Sequence, residues 1–82
     1  MTIITALNNT ATYTVTITCR NMRTLDPCRK EYVTYRSLLA AKEFAAKVAD
    51  CVDVCNVDVV DNTTGEVMWY KLDNGETYEA DT

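Results

Sequence analysis

The residues of this chain whose types and spacing could form a functional site are carboxylates spaced through its last third, with aromatic side chains among them. Such carboxylates could imitate nucleic-acid phosphates and occupy a basic groove on a partner protein, and exposed Trp and Tyr are favoured interface anchors. The alternative is that the acids only solubilise the chain and protect strand edges. The set predicted to bind a partner is Asp58, Asp61, Glu66, Trp69, Tyr70, Asp73, Glu76 and Glu79.

A second group of residues is basic and lies within seventeen positions of the first half. Its members are Arg20, Arg23, Arg29, Lys30 and Arg36. Guanidinium groups bind phosphates and carboxylates in a bidentate manner, and the nearby Tyr32 and Tyr35 could stack on a base. These residues therefore predict an alternative site for a small anionic ligand or nucleotide. They could instead pair internally with Asp58, Asp61 or Glu66.

Charge is divided unevenly along the chain. Residues 1–49 hold seven bases and three acids, for a net charge of +4, whereas residues 50–82 hold one base and nine acids, for −8. The two halves could screen each other in the fold, or they could leave two faces of opposite potential. The total of −4 argues against binding to duplex DNA, because that affinity comes from a cationic surface.

The composition argues against catalysis. There is no histidine, which removes the commonest general base. The single serine, Ser37, is explained as a helix cap, and two glycines, Gly65 and Gly75, cannot build a glycine-rich phosphate loop. We therefore predict a protein that is not an enzyme and has no cofactor.

Four cysteines raise the question of a metal or redox site. They form the pairs Cys19-x8-Cys28 and Cys51-x3-Cys55, and only the second has the spacing usual for zinc. A redox pair is usually Cys-x-x-Cys at a helix N-terminus, whereas Cys51 ends a predicted helix. We predict no metal site, reduced thiols, and core positions for Cys19 and Cys51.

The stretch TATYTVTITC, residues 10–19, alternates threonine with mostly apolar residues and predicts a strand over 11–20. One face of such a strand packs on the core and the other meets water. The threonine row is thus an exposed sheet face or a flat, uncharged binding surface. Asp26-Pro27 indicates a turn within 21–30, and 31–36 returns as a strand, which makes a hairpin with a long basic tip.

Ser37 is a predicted N-cap for the helix LLAAKEFAAKVADC. The apolar stripe of this helix is Leu38, Ala41, Ala45, Val48 and Val52, and Leu39 lies nearer the polar side. Strands are predicted at 55–59, 67–72 and 76–80, with turns at Gly65 and Asn74-Gly75.

These elements predict one α+β domain over residues 1–82. It is a two-layer sandwich of order β-β-α-β-β(-β), with one helix packed on an antiparallel or mixed sheet. TIITAL at residues 2–7 is a candidate for an additional short strand. Neither a leader segment nor an apolar run of about 20 residues is present, so a cytoplasmic location is expected.

The segments TYRSLLAAKEFAAKV and VDVVDNTTGEVMWYKL resemble small accessory proteins of phages and other mobile elements. The resemblance covers roughly residues 31–72, as a strand, a capped helix and a hairpin, and it leaves 19–30 unmatched. It implies a non-catalytic inhibitor of a bacterial defence system, of the anti-CRISPR or another anti-defence type. It assigns no functional residue.

Three hypotheses follow. The first is an inhibitor that occupies the basic surface of a host defence protein with its acidic residues. The second is capture of a small anion by the basic residues. The third is a structural homodimer, formed through an edge strand or through the open threonine face.

Overall fold

The computed structural model describes residues 12–21, 23–24 and 27–80, which form five strands and one helix. TIITAL and Thr10 lie outside these residues. The elements are β1 (Tyr13–Arg20), β2 (Pro27–Tyr35), α1 (Leu38–Ala49), β3 (Val54–Asp61), β4 (Val67–Lys71) and β5 (Thr77–Glu79). The predicted α+β class is confirmed, with the sheet as its larger part.

The strands form one sheet of order β2-β1-β3-β4-β5, and every neighbouring pair is antiparallel. Strands β2 and β5 are the edges, and β3 is the middle strand. The chain leaves β2, forms α1 and returns as β3 on the far side of β1. The helix therefore packs across β1, β2 and β3.

Strand β2 begins earlier than the sequence predicts. The strand expected over 31–36 starts at Pro27, so residues 27–30 belong to the sheet and the basic tip is shorter than predicted. Proline lacks a backbone N–H, and the first residue of an edge strand is a position where it is tolerated. Pro27 is thus the first residue of a strand, and Asp26, where the turn is predicted, lies outside the described residues.

The core lies between α1 and one face of the sheet. Fully buried valines from the two central strands, Val15, Val57 and Val59, pack under the helix. The helix contributes Ala41 and Ala45, which are completely buried. Larger side chains, among them Phe44 and Trp69, pack around these residues and are partly buried.

The start of the helix matches the prediction, and its end does not. The backbone N–H of Ala40 donates to the Oγ of Ser37 at 3.2 Å, which is an N-cap hydrogen bond. The helix ends at Ala49, and the chain then turns, which leaves Cys51 exposed and Val52 80% exposed. The predicted core position of Cys51 is therefore wrong, whereas Cys19 is buried as expected.

Two of the turns depend on glycine. Gly65 and Gly75 have φ values of 78° and 91°, in the left-handed region that these turns require and that glycine adopts without strain. Within the part of the chain that the structure describes, no helix combines the length and apolar character needed to cross a membrane.

Candidate protein-binding surface

The sheet face opposite α1 is covered by no described element, and we call it the open face. Alternation along β1 places Val15, Ile17 and Cys19 in the core and turns the threonines between them outwards. Cross-strand pairing extends the open face over all five strands. Its residues include Thr14, Thr16, Thr18, Lys30, Tyr32, Thr34, Asn56, Asp58, Val60, Tyr70 and Tyr78.

One continuous row of side chains crosses this face and is called here the central rung. Direct cross-strand pairs link its members in the order Tyr32, Thr16, Asp58, Tyr70 and Tyr78. With strands about 4.8 Å apart, the rung is about 19 Å long. The Tyr70 and Tyr78 rings stack with their centroids 5.5 Å apart, so aromatic surface lies at both ends and a carboxylate in the middle.

Asp58 is the titratable group at the centre of the rung. Its half-burial raises the pKa of its carboxyl above the ordinary value of 3.8. A hydrogen bond from Thr16 and the positive charge of Lys30 act in the opposite direction, but burial dominates. Asp58 is thus a carboxylate whose pKa is raised, in the middle of an uncovered surface.

The end of the open face near the β4–β5 turn is fixed by polar contacts. The guanidinium of Arg20 forms an ion pair with Asp73, and the Asp73 backbone N–H donates to Asn56 Oδ1 at 2.9 Å. Beside the Arg20–Asp73 ion pair is a shallow depression of about 390 Å³ lined by Asn56, Leu72, Asp73 and Asn74. Strands β1, β3 and β4 are therefore joined here by side chains as well as by the backbone.

A tyrosine and a glutamate are also joined on the β4–β5 side. The Tyr70 hydroxyl donates to Glu76 Oε2 at 2.6 Å, and this hydrogen bond to a carboxylate raises the pKa of the phenol. The bond holds the Glu76 side chain in place on the open face.

The structure distributes the predicted acidic and aromatic residues over several surfaces. Asp58, Tyr70 and Glu76 lie on the open face. Trp69 packs against the core on the helix side, in register with Glu79, and Lys42 of the helix donates to Glu79 Oε2 at 3.0 Å.

The remaining predicted acids lie in turns. Asp61 accepts the Thr63 backbone N–H at 2.8 Å, Glu66 is exposed before β4, and Asp73 follows that strand. The set predicted from sequence is therefore not one patch. What its members share is a position on the β3–β5 side of the sheet.

The predicted basic set does not converge on one point either. Lys30 and Arg20 belong to the open face, whereas Arg29 lies in register with Cys19 on the helix side and pairs with Glu31 at 2.9 Å. Arg36 follows the far end of β2, about 23 Å along the strand from Arg29. Arg23 is exposed in the β1–β2 connection.

The internal pairs differ in part from those weighed on the sequence. Arg20 and Arg29 pair with Asp73 and Glu31 in place of Asp58, Asp61 or Glu66. Lys30 does act electrostatically on Asp58. Within the described part of the chain, the five basic side chains are therefore spread over both faces of the sheet and its connections.

Charge does separate across the sheet. Residues 12–36, which contain β1 and β2, hold five bases and two acids, for +3; residues 54–80, which contain β3, β4 and β5, hold six acids and one base, for −5. The sheet order places β2 and β5 at opposite edges. The charge division along the sequence thus becomes a gradient from one edge of the sheet to the other, which composition alone does not reveal.

Among the described residues, no group of three or more Cys, Asp or Glu side chains is placed to hold a metal ion. A cleft of about 130 Å³ between the end of α1 and the β3–β4 pair exposes Lys71 and Asp73 beside Cys55. This cleft is smaller than the roughly 300 Å³ typical of small-molecule sites, whereas the depression of about 390 Å³ beside Asp73 reaches that volume but is shallow.

Comparison with protein families, curated proteins and solved structures gives no match to this chain.

Proposed function

We propose that this chain is a non-enzymatic binding protein that inhibits a host defence protein by occupying a basic, nucleic-acid-binding surface. The contact surface is the acidic edge, which we define as Glu66, Asp73, Glu76 and Glu79 around β4 and β5. The observation that supports this proposal is the charge gradient, because it concentrates the carboxylates on one side of the sheet and the bases on the other.

The acidic edge has the length and exposure that such contact needs. Glu66 and Asp73 flank β4 at its two ends, about 23 Å apart along the chain. Asp73 and Glu79 retain 58% and 62% of their side-chain exposure although each forms an ion pair. Their charges therefore remain available to a cationic surface.

Internal contacts hold several of these carboxylates before any partner arrives. Asp73 is fixed by Arg20, Glu76 by the Tyr70 hydroxyl and Glu79 by Lys42. Side chains that are already positioned lose less conformational entropy on binding. Three of the four carboxylates of the acidic edge are thus held in defined positions before a partner binds.

The class of partner follows from charge and from the resemblance to mobile-element accessory proteins. A net charge of −4 disfavours nucleic acid itself and favours a protein that binds nucleic acid. A defence protein of the host cell meets that description, and it would be reached in the host cytoplasm.

The test compares two triple variants with equal charge change. Glu66→Gln/Asp73→Asn/Glu79→Gln neutralises the acidic edge, and Glu43→Gln/Asp50→Asn/Asp53→Asn neutralises exposed acids on the helix and the loop after it. Tagged chains are expressed in the host, captured proteins are identified, and affinity for the purified partner is measured at 50 and 300 mM salt.

The edge variant should bind at least about tenfold more weakly, and the control should bind like the unmodified chain. Binding should weaken as salt rises, and DNA should compete with the chain for the partner. Equal losses in both variants, or binding that is insensitive to salt and DNA, would contradict the acidic edge as the contact surface.

A further inference from the structure

The open face carries more aromatic surface than a solvated sheet face requires. Tyr32 is 64% exposed and Tyr78 is 44% exposed, at the two ends of the central rung. Val60 and Val67 pair on the neighbouring rung, and Val67 is also exposed. Covering such an apolar surface with another surface lowers the free energy.

The sheet has an arrangement that favours a second copy as the cover. Strand β3 is the middle of five strands, and Asp58 is the middle of the five residues of the central rung. A twofold axis that runs along β3, between two facing sheets, reverses the strand order and preserves the height along the strands. It places β2 of one copy over β5 of the other, and β1 over β4.

Aromatic groups then meet across the interface. On the central rung, Tyr32 of each copy faces Tyr78 of the other, and Thr16 faces Tyr70. The stacked Tyr70 and Tyr78 rings form a platform for the incoming Tyr32, and aromatic pairs of this kind contribute beyond the area that they bury.

The charges are complementary under the same operation. The next row of cross-strand pairs lies nearer the β4–β5 turn than the central rung. In this row Lys30 pairs with Thr18, and Thr18 pairs with Asn56. At the other edge of the sheet, the Leu72 N–H donates to the Glu76 carbonyl at 2.8 Å. Lys30 and Glu76 therefore lie at equal height at opposite edges. Lys30 of each copy faces Glu76 of the other, twice by symmetry, whereas a twofold axis across the strands, along the central rung, would place β2 over β2 and β5 over β5, so that edges of like charge would meet.

We propose that the open face binds a second copy of this chain, face to face, about a twofold axis along β3. The face measures about 24 Å by about 20 Å, or about 480 Å² per copy. Two copies would cover about 1,000 Å², the lower limit for a specific interface, so the dimer is weak and has a Kd between about 10 and about 100 µM.

Asp58 makes this dimer sensitive to pH. The axis brings its carboxylate towards Asp58 of the second copy, and the charged and titratable groups beside it are Lys30 on β2 and Tyr70 on β4. Two carboxylates that approach in a closed interface take up a proton more readily, so association strengthens as pH falls towards 5. Asp58→Asn removes the repulsion and should strengthen the dimer at pH 7.5.

The test is sedimentation equilibrium between 5 and 500 µM at pH 7.5 and 5.5, with thermal melts to confirm folding of each variant. Lys30→Glu and Glu76→Lys should each weaken the dimer at least about tenfold, and the double variant should restore it. Lys47→Glu, an exposed helix position, is the matched control and should leave it unchanged. Asp58→Asn should tighten it at least about threefold at pH 7.5.

A chain that stays monomeric at 500 µM and pH 5.5 would overturn the proposal. So would a dimer that tolerates Lys30→Glu as well as Lys47→Glu, since it would use another surface. Neither outcome touches the proposed function, because the edge variant defined above leaves Lys30, Asp58 and Glu76 intact. Loss of the predicted salt and DNA effects would in turn leave the dimer standing.

Discussion

The two faces of this sheet are built from the same strands and are stabilised in different ways. The helix side contains fully buried valines and alanines, with no buried polar side chain among the described residues. The open side contains threonines, tyrosines and a half-buried aspartate joined by hydrogen bonds and ion pairs. We infer that the helix side supplies most of the folding free energy and that the open side is free to specialise in binding.

The largest expected effect tests that division directly. Val57 is completely buried on the helix side, so Val57→Ala removes two buried methyl groups and should lower the free energy of unfolding by about 2 kcal/mol. Thr18→Ala, on the next strand but on the open side, should cost less than about 1 kcal/mol. Urea unfolding measures both, and equal losses would contradict the division.

A smaller effect concerns the N-cap of α1, the helix that covers one face of the sheet and leaves the other open. Ser37→Ala removes the acceptor for the Ala40 N–H and should cost about 1 kcal/mol. Ser37→Asp restores an acceptor and should recover most of the loss in thermal melts. If alanine and aspartate have the same effect, the hydroxyl contributes nothing as a cap.

The smallest effect belongs to the open face and depends on pH. Folding raises the pKa of Asp58, so the protonated form favours the folded state. This contribution is complete below about pH 3.8 and is lost as pH rises through the folded-state pKa. Asp58→Asn should therefore gain stability relative to the unmodified chain across that window and keep a constant advantage above it.

That measurement needs dilute protein, so that dimerisation does not contribute. Urea unfolding at 1 µM and a series of pH values supplies it, with Asp53→Asn, an exposed acid in the loop before β3, as the control. A constant difference between Asp58→Asn and the unmodified chain at every pH would mean that the Asp58 pKa is not raised by folding.

Local signals in the sequence predicted much of the fold. The alternation of β1, the Ser37 cap and the two turn glycines depend on residues close in the chain, and the structure has them in place. The sequence predicts the end of α1 too late, because the apolar stripe continues to Val52 although the helix ends at Ala49.

The candidate surfaces could not be predicted because they depend on register between distant segments. Arg20 and Asp73 are 53 positions apart, and neither local segment contains a pattern that predicts their contact. The central rung depends on the strand order and on the register of four separate strand pairs. A shift of one residue in any register would move the side chains of that strand to the opposite face. Composition showed that the charges were divided, but the position of β1 beside β3 decides where the division lies.

The position of β1 also has a consequence for how the chain folds. The β1–β2 hairpin and the β3–β4–β5 meander close over short distances, whereas the pairing of β1 with β3 joins residues such as Ile17 and Val57, 40 positions apart. Pairing across such a separation is the slow step in β-rich folds. Because the hairpin is cationic and the meander anionic, their attraction accelerates this encounter, and folding slows as salt screens it.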